Sequence, residues 1–122
     1  MPLWLIHTQV RIIPIKEEYM EYAEIIEQVI NKNQIRVDID DRDESVGKRI
    51  RDAETEWIPY ILVIGEKEIE SSELIVRDRI LGNQYKSTLD ELIFRIKEKV
   101  QDKPYMPLNL PKYLSKRPQI MT

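Results

Sequence analysis

Five apolar residues in a row, Tyr60-Ile-Leu-Val-Ile64, lie between Pro59 and Gly65. The proline ends any preceding helix and the glycine ends the run, so the segment has the length of a strand. Strands that are apolar on both faces occur at the centre of sheets that helices cover on both sides. The run therefore predicts a central strand of an α/β domain.

The segments before this run alternate between strand and helix patterns. Gln9 to Ile15 is rich in β-branched residues and Ile35 to Ile39 alternates apolar and polar positions, so both are predicted strands. Between them, Glu17 to Asn33 repeats apolar residues at spacings of three and four, which predicts a helix. The order strand, helix, strand, helix, strand favours right-handed crossovers and a parallel core with helices on its faces.

The second helix is predicted to begin after the polar loop Asp40 to Ser45, with Asp43 or Ser45 as its N-cap. At about 100° per residue, one arc of this helix is apolar and the opposite arc carries cations. The arc that should be buried contains Val46, Ile50, Ala53 and Trp57, and the arc that should face solvent or a partner contains Lys48, Arg51 and Thr55.

After Gly65 the pattern changes to short β-like pieces. Lys67 to Glu70 and Leu74 to Arg79 are two of them, and Gly82-Asn83 follows as a turn. A last helix is predicted over about Thr88 to Val100. The predicted fold class is therefore α/β, with a mixed sheet that has a parallel core and an antiparallel edge.

The length of 122 residues fits one domain, but the last 20 residues differ from the rest of the chain in charge. Residues 103–122 contain four basic side chains, four prolines and no acid, although the whole chain has a net charge of −3. Proline favours an extended conformation. We predict a domain over residues 1–102 and an extended, basic, proline-rich tail over residues 103–122 that packs on or near it.

Composition and motifs exclude several classes of protein. The chain has no cysteine and no apolar run of membrane-spanning length, so a cytoplasmic protein without a membrane partner is expected. His7 is the only histidine, and the three glycines are too far apart to form a phosphate-binding loop. Glu66, Glu68 and Glu70 have no accompanying nucleophile, and a solvated strand end is their favoured interpretation. No catalytic residue and no cofactor is predicted in this chain.

The segment Asp38 to Glu44 contains five carboxylates and could suggest a calcium or magnesium site. A calcium-binding loop that starts at Asp38 would have Arg42 at a ligand position, and one that starts at Asp41 would have Val46 at the glycine position and Asp52 at the position of the bidentate Glu. Acids at a strand end and a helix start also stabilise the helix dipole without binding a metal. This second interpretation is favoured, and no metal ligand is predicted.

Basic side chains near the second helix and the late strand form the remaining candidate site. They are Arg42, Lys48, Arg49, Arg51, Arg77, Arg79 and Lys86. By spacing alone, they are either solvated surface charges or a site for a polyanion. If the helix start and the late strands lie at one end of the sheet, the cations can contact phosphates while Asp43 and Glu68 accept hydrogen bonds from bases.

Nine short motifs along almost the whole chain are informative when they are taken together and in order. They are Trp4-Leu5, Gln9-Val-Arg-Ile-Ile-Pro14, Ile35-Arg-Val-Asp38, Asp41-Arg-Asp-Glu-Ser45, Gly47-Lys-Arg-Ile-Arg-Asp-Ala53, Trp57-Ile-Pro-Tyr60, Val63-Ile-Gly-Glu-Lys-Glu68, Val76-Arg-Asp-Arg79 and Tyr113-Leu-Ser-Lys-Arg-Pro118. Together they resemble the C-terminal anticodon-binding domain of threonyl-tRNA synthetases of the archaeal type, within class IIa. The resemblance implies a mixed five-stranded sheet flanked by three helices.

The resemblance also implies binding of the anticodon stem-loop of threonine tRNA, with recognition of the G and U that end threonine anticodons. At the matching positions, the residues that would recognise bases are Asp43, Glu68 and Arg77. The cations Arg42, Lys48 and Arg51 complete the predicted nucleic-acid-binding set. Bacterial relatives carry Asn in place of Asp43, and an amide donates hydrogen bonds whereas a carboxylate only accepts them.

A larger parent enzyme is implied as well. The chain lacks the ATP-binding sheet, motif arginines and glycine-rich strand of a class II synthetase core, so ATP and metal ions are expected only in the parent. That parent would be a dimeric threonine–tRNA ligase whose catalytic domain is a second partner, and the chain would be an excised domain or a free-standing one. Two alternatives stay open: the anticodon-binding domain of a prolyl, histidyl or glycyl synthetase, and a protein-interaction module without RNA.

Overall fold

The computed structural model describes residues 8–100 and 112–116 of the chain. Predictions that concern Trp4-Leu5, His7, the side chain of Val100 and most of the tail lie outside the described residues. The helices and strands, in chain order, are β1 Val10–Pro14, α1 Met20–Lys32, β2 Val37–Ile39, α2 Val46–Thr55, β3 Tyr60–Ile64, α3 Glu66–Ser71, β4 Leu74–Asp78, β5 Asn83–Ser87 and α4 Leu89–Val100. One-turn 3₁₀ segments lie at Glu17–Tyr19 and Leu114–Lys116.

The strands form one five-stranded sheet in the order β2-β1-β3-β4-β5. β1 lies between β2 and β3 and is parallel to both, and its Ile12 is in register with Ile39 and Leu62. β4 is antiparallel to β3 and β5 is antiparallel to β4. The predicted mixed sheet with a parallel core and an antiparallel edge is therefore confirmed.

The two faces of the sheet are covered to different extents. One face packs on α1 and α4 in a large apolar cluster that includes Ile12, Leu62 and Val76. The other face packs on α2 in a smaller cluster that includes Ile13, Ile61 and Ala53. Burial of each isoleucine, leucine or valine side chain in these clusters contributes about 1.5 to 3 kcal/mol. Because α2 packs on β1 and β3, the side chains of β4 and β5 on that face are partly exposed or exposed; they are Ile75, Arg77, Gln84 and Lys86.

One predicted strand is a helix. Residues 67–70 belong to α3, whose start is stabilised by Glu68: its Oε2 accepts a hydrogen bond from the Gly65 N–H at 3.2 Å. A glutamate at the third helical position that reaches back to the N-cap amide is a capping arrangement. The fifth strand is instead β5, which follows the positive-φ turn at Gly82. Among the described residues there are thus four α-helices rather than three.

The predicted burial of Trp57 is wrong. Helix α2 ends at Thr55, before Pro59, because Trp57 adopts a left-handed backbone with φ of 62° that turns the chain away from the helix axis. The indole is 73% exposed, and the guanidinium of Arg79 lies 5.0 Å from its ring centre. That separation is within the range of a cation–π contact.

A fully buried arginine joins β1, β2 and the end of α2. Nε and Nη2 of Arg11 donate to the two carboxylate oxygens of Asp38 at 3.0 and 3.1 Å, and Nη1 donates to Glu56 at 2.6 Å. Burial by itself would lower the pKa of Arg11, but the hydrogen bonds and charges of Asp38 and Glu56 raise that pKa above its ordinary value. The guanidinium therefore stays charged inside the fold.

No helix in the described part of the chain is long and apolar enough to cross a membrane.

Candidate nucleic-acid interface

The loop between β2 and α2 is fixed at its helical end by Ser45. The Ser45 hydroxyl accepts a hydrogen bond from the Lys48 N–H at 3.1 Å, so Ser45, and not Asp43, is the N-cap of α2. Asp43 is exposed, and its side chain has no hydrogen bond to a described residue. Its carboxylate is therefore free to accept hydrogen bonds from a ligand.

The other carboxylates of the acidic segment are held by separate protein groups. Asp38 binds Arg11, Asp40 binds Arg42, and Asp41 binds Ser115. Within residues 8–100 and 112–116, no three acidic or histidine side chains are grouped so that they could hold a metal ion. The carboxylates act as partners of basic and hydroxyl groups.

We therefore expect millimolar calcium or magnesium to leave the thermal midpoint of the RNA-free chain nearly unchanged. A ligand raises the midpoint only through its preference for the native state. Thermal unfolding with each chloride salt, matched in ionic strength with sodium chloride, measures this. An upward shift of several degrees with calcium or magnesium alone would contradict it.

Arg42 and Lys48 face solvent but are already paired. Arg42 donates to both carboxylate oxygens of Asp40 at 2.9 and 2.8 Å and to Asp52 at 3.0 Å. Its hydrogen bond to Asp40 raises the pKa of Arg42, against the opposing effect of partial burial. The Lys48 ammonium lies 3.5 Å from Asp52 and 3.9 Å from Glu44. Arg42, Asp43 and Lys48 thus lie together at the start of α2, and we call them the loop cluster.

Two members of the basic set are structural. Arg49 is buried, and its Nη1 donates to the carbonyl oxygens of Pro14 and Asp40 at 2.9 and 3.1 Å. Arg79 donates to the Glu54 carbonyl and stacks on Trp57. Both groups hold α2 against the sheet.

Arg51 and Arg77 have no side-chain hydrogen bond or ion pair within the described part of the chain. Arg51 is exposed on α2, about 100° around the helix from Asp52 and so away from the acids that bind the loop cluster. Arg77 is on β4, opposite Ile61 of β3 and Gln84 of β5, on the sheet face that packs on α2. Both guanidinium groups retain their full set of donors for a ligand.

Glu68 lies beyond the carboxyl end of β3 and is mostly buried. A groove of about 390 Å³ runs beside it and includes Ile75 of β4 and Lys86 of β5. Arg77 is two residues along β4 from Ile75, so it lies on the same face of the sheet, roughly 7 Å further from the groove. We call Glu68, Arg77 and Lys86 the sheet residues; Glu68 and Lys86 line the groove, and Arg77 lies outside it.

A larger groove of about 700 Å³ opens at the carboxyl ends of β1 and β2. Its lining includes Ile15, Lys16, Asp43, Arg49 and Tyr113. In open α/β sheets, ligands bind in the crevice outside the carboxyl ends of the strands, where successive connections turn to opposite faces. This chain has that arrangement, because α1 and α2 pack on opposite faces.

Residues 9–99 match the family model described as the anticodon binding domain. The chain belongs to the anticodon-binding domain family. Over 98% of its length it is 55% identical to the threonine–tRNA ligase of Pyrococcus horikoshii, and over 99% it is 53% identical to that of Nitrosopumilus maritimus. It spans only about a fifth of either relative, 19% and 20% respectively.

Two solved structures are similar to this chain in fold. The RNA binding domain of threonyl-tRNA synthetase from Cryptosporidium parvum Iowa II is similar over 88% of this chain and 26% of that chain, with 28% identity and a TM-score of 0.75. Histidyl-tRNA synthetase from Nostoc sp. PCC 7120 shares the fold over 76% of this chain and 22% of that chain, with 22% identity and a TM-score of 0.69.

In this anticodon-binding domain, the six predicted site residues do not form one cluster. The loop cluster lies at the carboxyl end of the parallel strands, Arg51 lies further along α2, and Arg77 lies nearer the opposite end, in register with the second residue of β3. The expectation that the helix start and the late strands share one end fits Lys86 but not Arg77 or Arg79. The antiparallel register explains this, since each step along β4 leads away from the end where β3 finishes.

The sequence reasoning missed Tyr113 and Ser115, which contact the walls of the larger groove from the C-terminal segment. No local pattern could reveal these contacts, because 74 residues separate Ser115 from Asp41.

Proposed function

We propose that this chain is the anticodon-binding domain of a threonine–tRNA ligase and binds the anticodon stem-loop of threonine tRNA. The observation that supports this most is identity of 53 to 55% with threonine–tRNA ligases over 98 to 99% of the chain. The loop cluster, Arg51 and the sheet residues supply both charge signs, as recognition of splayed bases and their phosphates requires. Arg42 and Asp43 line the larger groove, and Glu68 and Lys86 line the smaller one.

Different members of the site perform different tasks. The exposed Asp43 accepts from base donors, and Arg77 presents an unpaired planar fork that matches two acceptors on a guanine edge or stacks on an unstacked base. Glu68 offers its Oε1 to a base, because only Oε2 is bound to Gly65. Lys48 contacts a phosphate as a flexible point charge, and Arg51 contacts one through its guanidinium donors.

Arg42 contributes mainly by holding the loop. Two of its three guanidinium nitrogens bind Asp40 and Asp52, which leaves Nη1 for a phosphate. Nη1 of Arg42 can therefore bind a phosphate while the bonds to Asp40 and Asp52 stay in place.

The proposal also concerns the larger enzyme to which this domain belongs. The parent is a cytoplasmic, homodimeric ligase whose catalytic domain holds ATP and metal ions and adjoins this domain. This chain itself holds no cofactor and supplies recognition of the tRNA, so that charging with threonine depends on the anticodon.

We expect tRNA binding to weaken steeply with salt. Three phosphate contacts, from Arg42, Lys48 and Arg51, give a log-log slope of about −2.1 to −2.7, so raising salt from 50 to 200 mM lowers affinity about 20- to 40-fold. Fluorescence anisotropy with a labelled anticodon stem-loop at four salt concentrations measures the slope.

The Lys48→Ala variant is the control, and it should reduce the slope by about one contact, roughly 0.7 to 0.9. An affinity that does not change with salt would overturn the electrostatic part of the proposal. Equal affinity for threonine and unrelated anticodon stem-loops would overturn the assignment to threonine tRNA.

A further inference from the structure

The described part of the C-terminal tail, residues 112–116, is joined to the edge of the sheet. Tyr113 forms a parallel bridge with Ile39 of β2, and the Ile39 N–H donates to the Lys112 carbonyl oxygen at 2.8 Å. The tail thus extends the sheet at β2, immediately before the loop that carries Asp43. A segment far away in sequence is placed beside one of the proposed base-recognising residues.

Two side chains of this segment also bind α1. The Lys112 ammonium lies 3.0 Å from the buried Glu27, and the Tyr113 hydroxyl donates to Glu24 at 2.9 Å. Burial and the bond to Glu24 raise the pKa of Tyr113 to about 12, which reflects how firmly the hydroxyl proton is held in this bond. These bonds fix the position of Tyr113 and thus the start of the short segment that leads to Ser115.

Ser115 then binds the loop itself. Its hydroxyl donates to Oδ2 of Asp41 at 2.7 Å, and its N–H donates to Oδ1 at 3.0 Å. Both oxygens of one carboxylate are therefore held by one residue. Hydrogen bonds to a charged acceptor are stronger than neutral ones, and two of them restrict the carboxylate in direction as well as distance.

The loop is thereby held on both sides of its exposed tip. Before the tip in sequence, Arg42 is bound by Asp40 and Asp52. After the tip, Ser45 caps α2. Ser115, from the C-terminal segment, binds Asp41. Asp43 is two residues from Asp41 and has no hydrogen bond of its own to a described residue. Its position depends on the residues around it.

We propose that Ser115 is a positioning residue for RNA recognition: by binding Asp41 it orders the loop that presents Asp43 to the anticodon. The proposal rests on the proposed function. A loop that is ordered before binding loses less conformational entropy when RNA binds, so loss of the Ser115 hydroxyl should reduce affinity for the cognate anticodon in particular.

The test uses the full 122-residue chain and three variants. Ser115→Ala removes the hydroxyl, Ser115→Thr retains one, and Thr88→Ala is the matched control, because it removes the exposed hydroxyl that accepts from the Glu91 N–H at 3.3 Å near the start of α4. Within the described residues, Thr88 has no bond to the loop, so any change that Thr88→Ala shares with Ser115→Ala comes from general loss of stability.

The first measurement is amide hydrogen exchange without RNA. The N–H groups of Arg42 and Glu44 are bonded within the loop. Ser115→Ala should speed their exchange by roughly 10- to 100-fold, as loss of one charge-assisted hydrogen bond implies. Ser115→Thr and Thr88→Ala should exchange at these sites like the wild type. Unchanged exchange in Ser115→Ala would overturn the positioning role.

The second measurement is the ratio of affinities for a stem-loop that ends in the threonine G and U and for one altered at those bases. Ser115→Ala should lower this ratio roughly 5- to 10-fold and Ser115→Thr should restore it. In an Asp41→Ala background, Ser115→Ala should have no further effect, because the two residues act as one unit. An additive effect would overturn the proposed route through Asp41.

The affinity ratios distinguish a failure of the proposed function from a failure of the positioning role of Ser115. If the wild type does not distinguish the two stem-loops, the proposed function is wrong and the positioning role in RNA recognition falls with it. If the wild type distinguishes them and Ser115→Ala does so equally well, only the positioning role is wrong.

Discussion

Replacement of Arg11 by methionine is expected to lower the free energy of unfolding by about 3 to 5 kcal/mol. Arg11 is fully buried and holds the carboxylate of the equally buried Asp38 through two hydrogen bonds. Methionine fills similar space but leaves Asp38 with less compensation for its charge. The measurement is urea unfolding followed by circular dichroism, with the midpoint and slope fitted together.

Two further variants make this result specific. Arg51→Met changes an exposed arginine without a partner among the described residues, and its effect should stay within about 0.5 kcal/mol. The double variant Arg11→Met with Asp38→Asn should be more stable than the sum of the single effects predicts, because it removes both charges. Equal losses for Arg11→Met and Arg51→Met would show that the buried ion pair contributes nothing.

The apolar pattern sufficed to predict the sheet core. The run Tyr60–Ile64 is β3, which lies at the centre of the order and is buried at four of its five positions. The helix predicted over Glu17 to Asn33 contains α1. These segments are predictable because the same periodicity that the sequence shows also decides which side chains leave water.

Local reasoning failed where a single capping contact decided the structure. The alternation of Glu66, Glu68 and Glu70 suggested a strand end, but Glu68 reaches back to the Gly65 amide and starts a helix. Trp57 matched the apolar arc of α2, yet its left-handed backbone ends the helix first and exposes the ring. A helical wheel assumes that the helix continues, and it therefore says nothing about the residue that ends it.

The site was predicted as a set of residue types rather than as an arrangement. The sequence indicated which cations and acids matter, but not that Arg42 is bound by Asp40 and Asp52 or that Arg49 is buried. Those states depend on partners supplied by folding. The Arg11 pairs likewise join residues 27 and 45 positions apart, which a single sequence does not reveal.

Among the site residues, Arg77 is expected to have the largest effect on recognition. It is only partly exposed on a rigid strand between β3 and β5, and its guanidinium has no partner among the described residues. A fork held on a strand can approach a base in one orientation, whereas Lys48 is a flexible charge that already lies near two carboxylates. The two residues should therefore differ in what their loss does.

Arg77→Ala should weaken binding of the cognate threonine anticodon stem-loop by about 1 to 3 kcal/mol, roughly 5- to 150-fold, and should change binding of a stem-loop altered at the G and U very little. Lys48→Ala should weaken both stem-loops by a similar factor, since a phosphate carries no base identity. Arg77→Lys retains the charge but not the planar fork, so it should behave like Arg77→Ala in discrimination while losing less affinity for the altered stem-loop.

Lys97→Ala, on α4 at the opposite face of the sheet, serves as the control and should bind both as the wild type does. Binding titrations of these variants at one fixed salt concentration give the four ratios. If Arg77→Ala weakens both stem-loops alike, Arg77 contacts the backbone and base recognition must depend on Asp43 and Glu68.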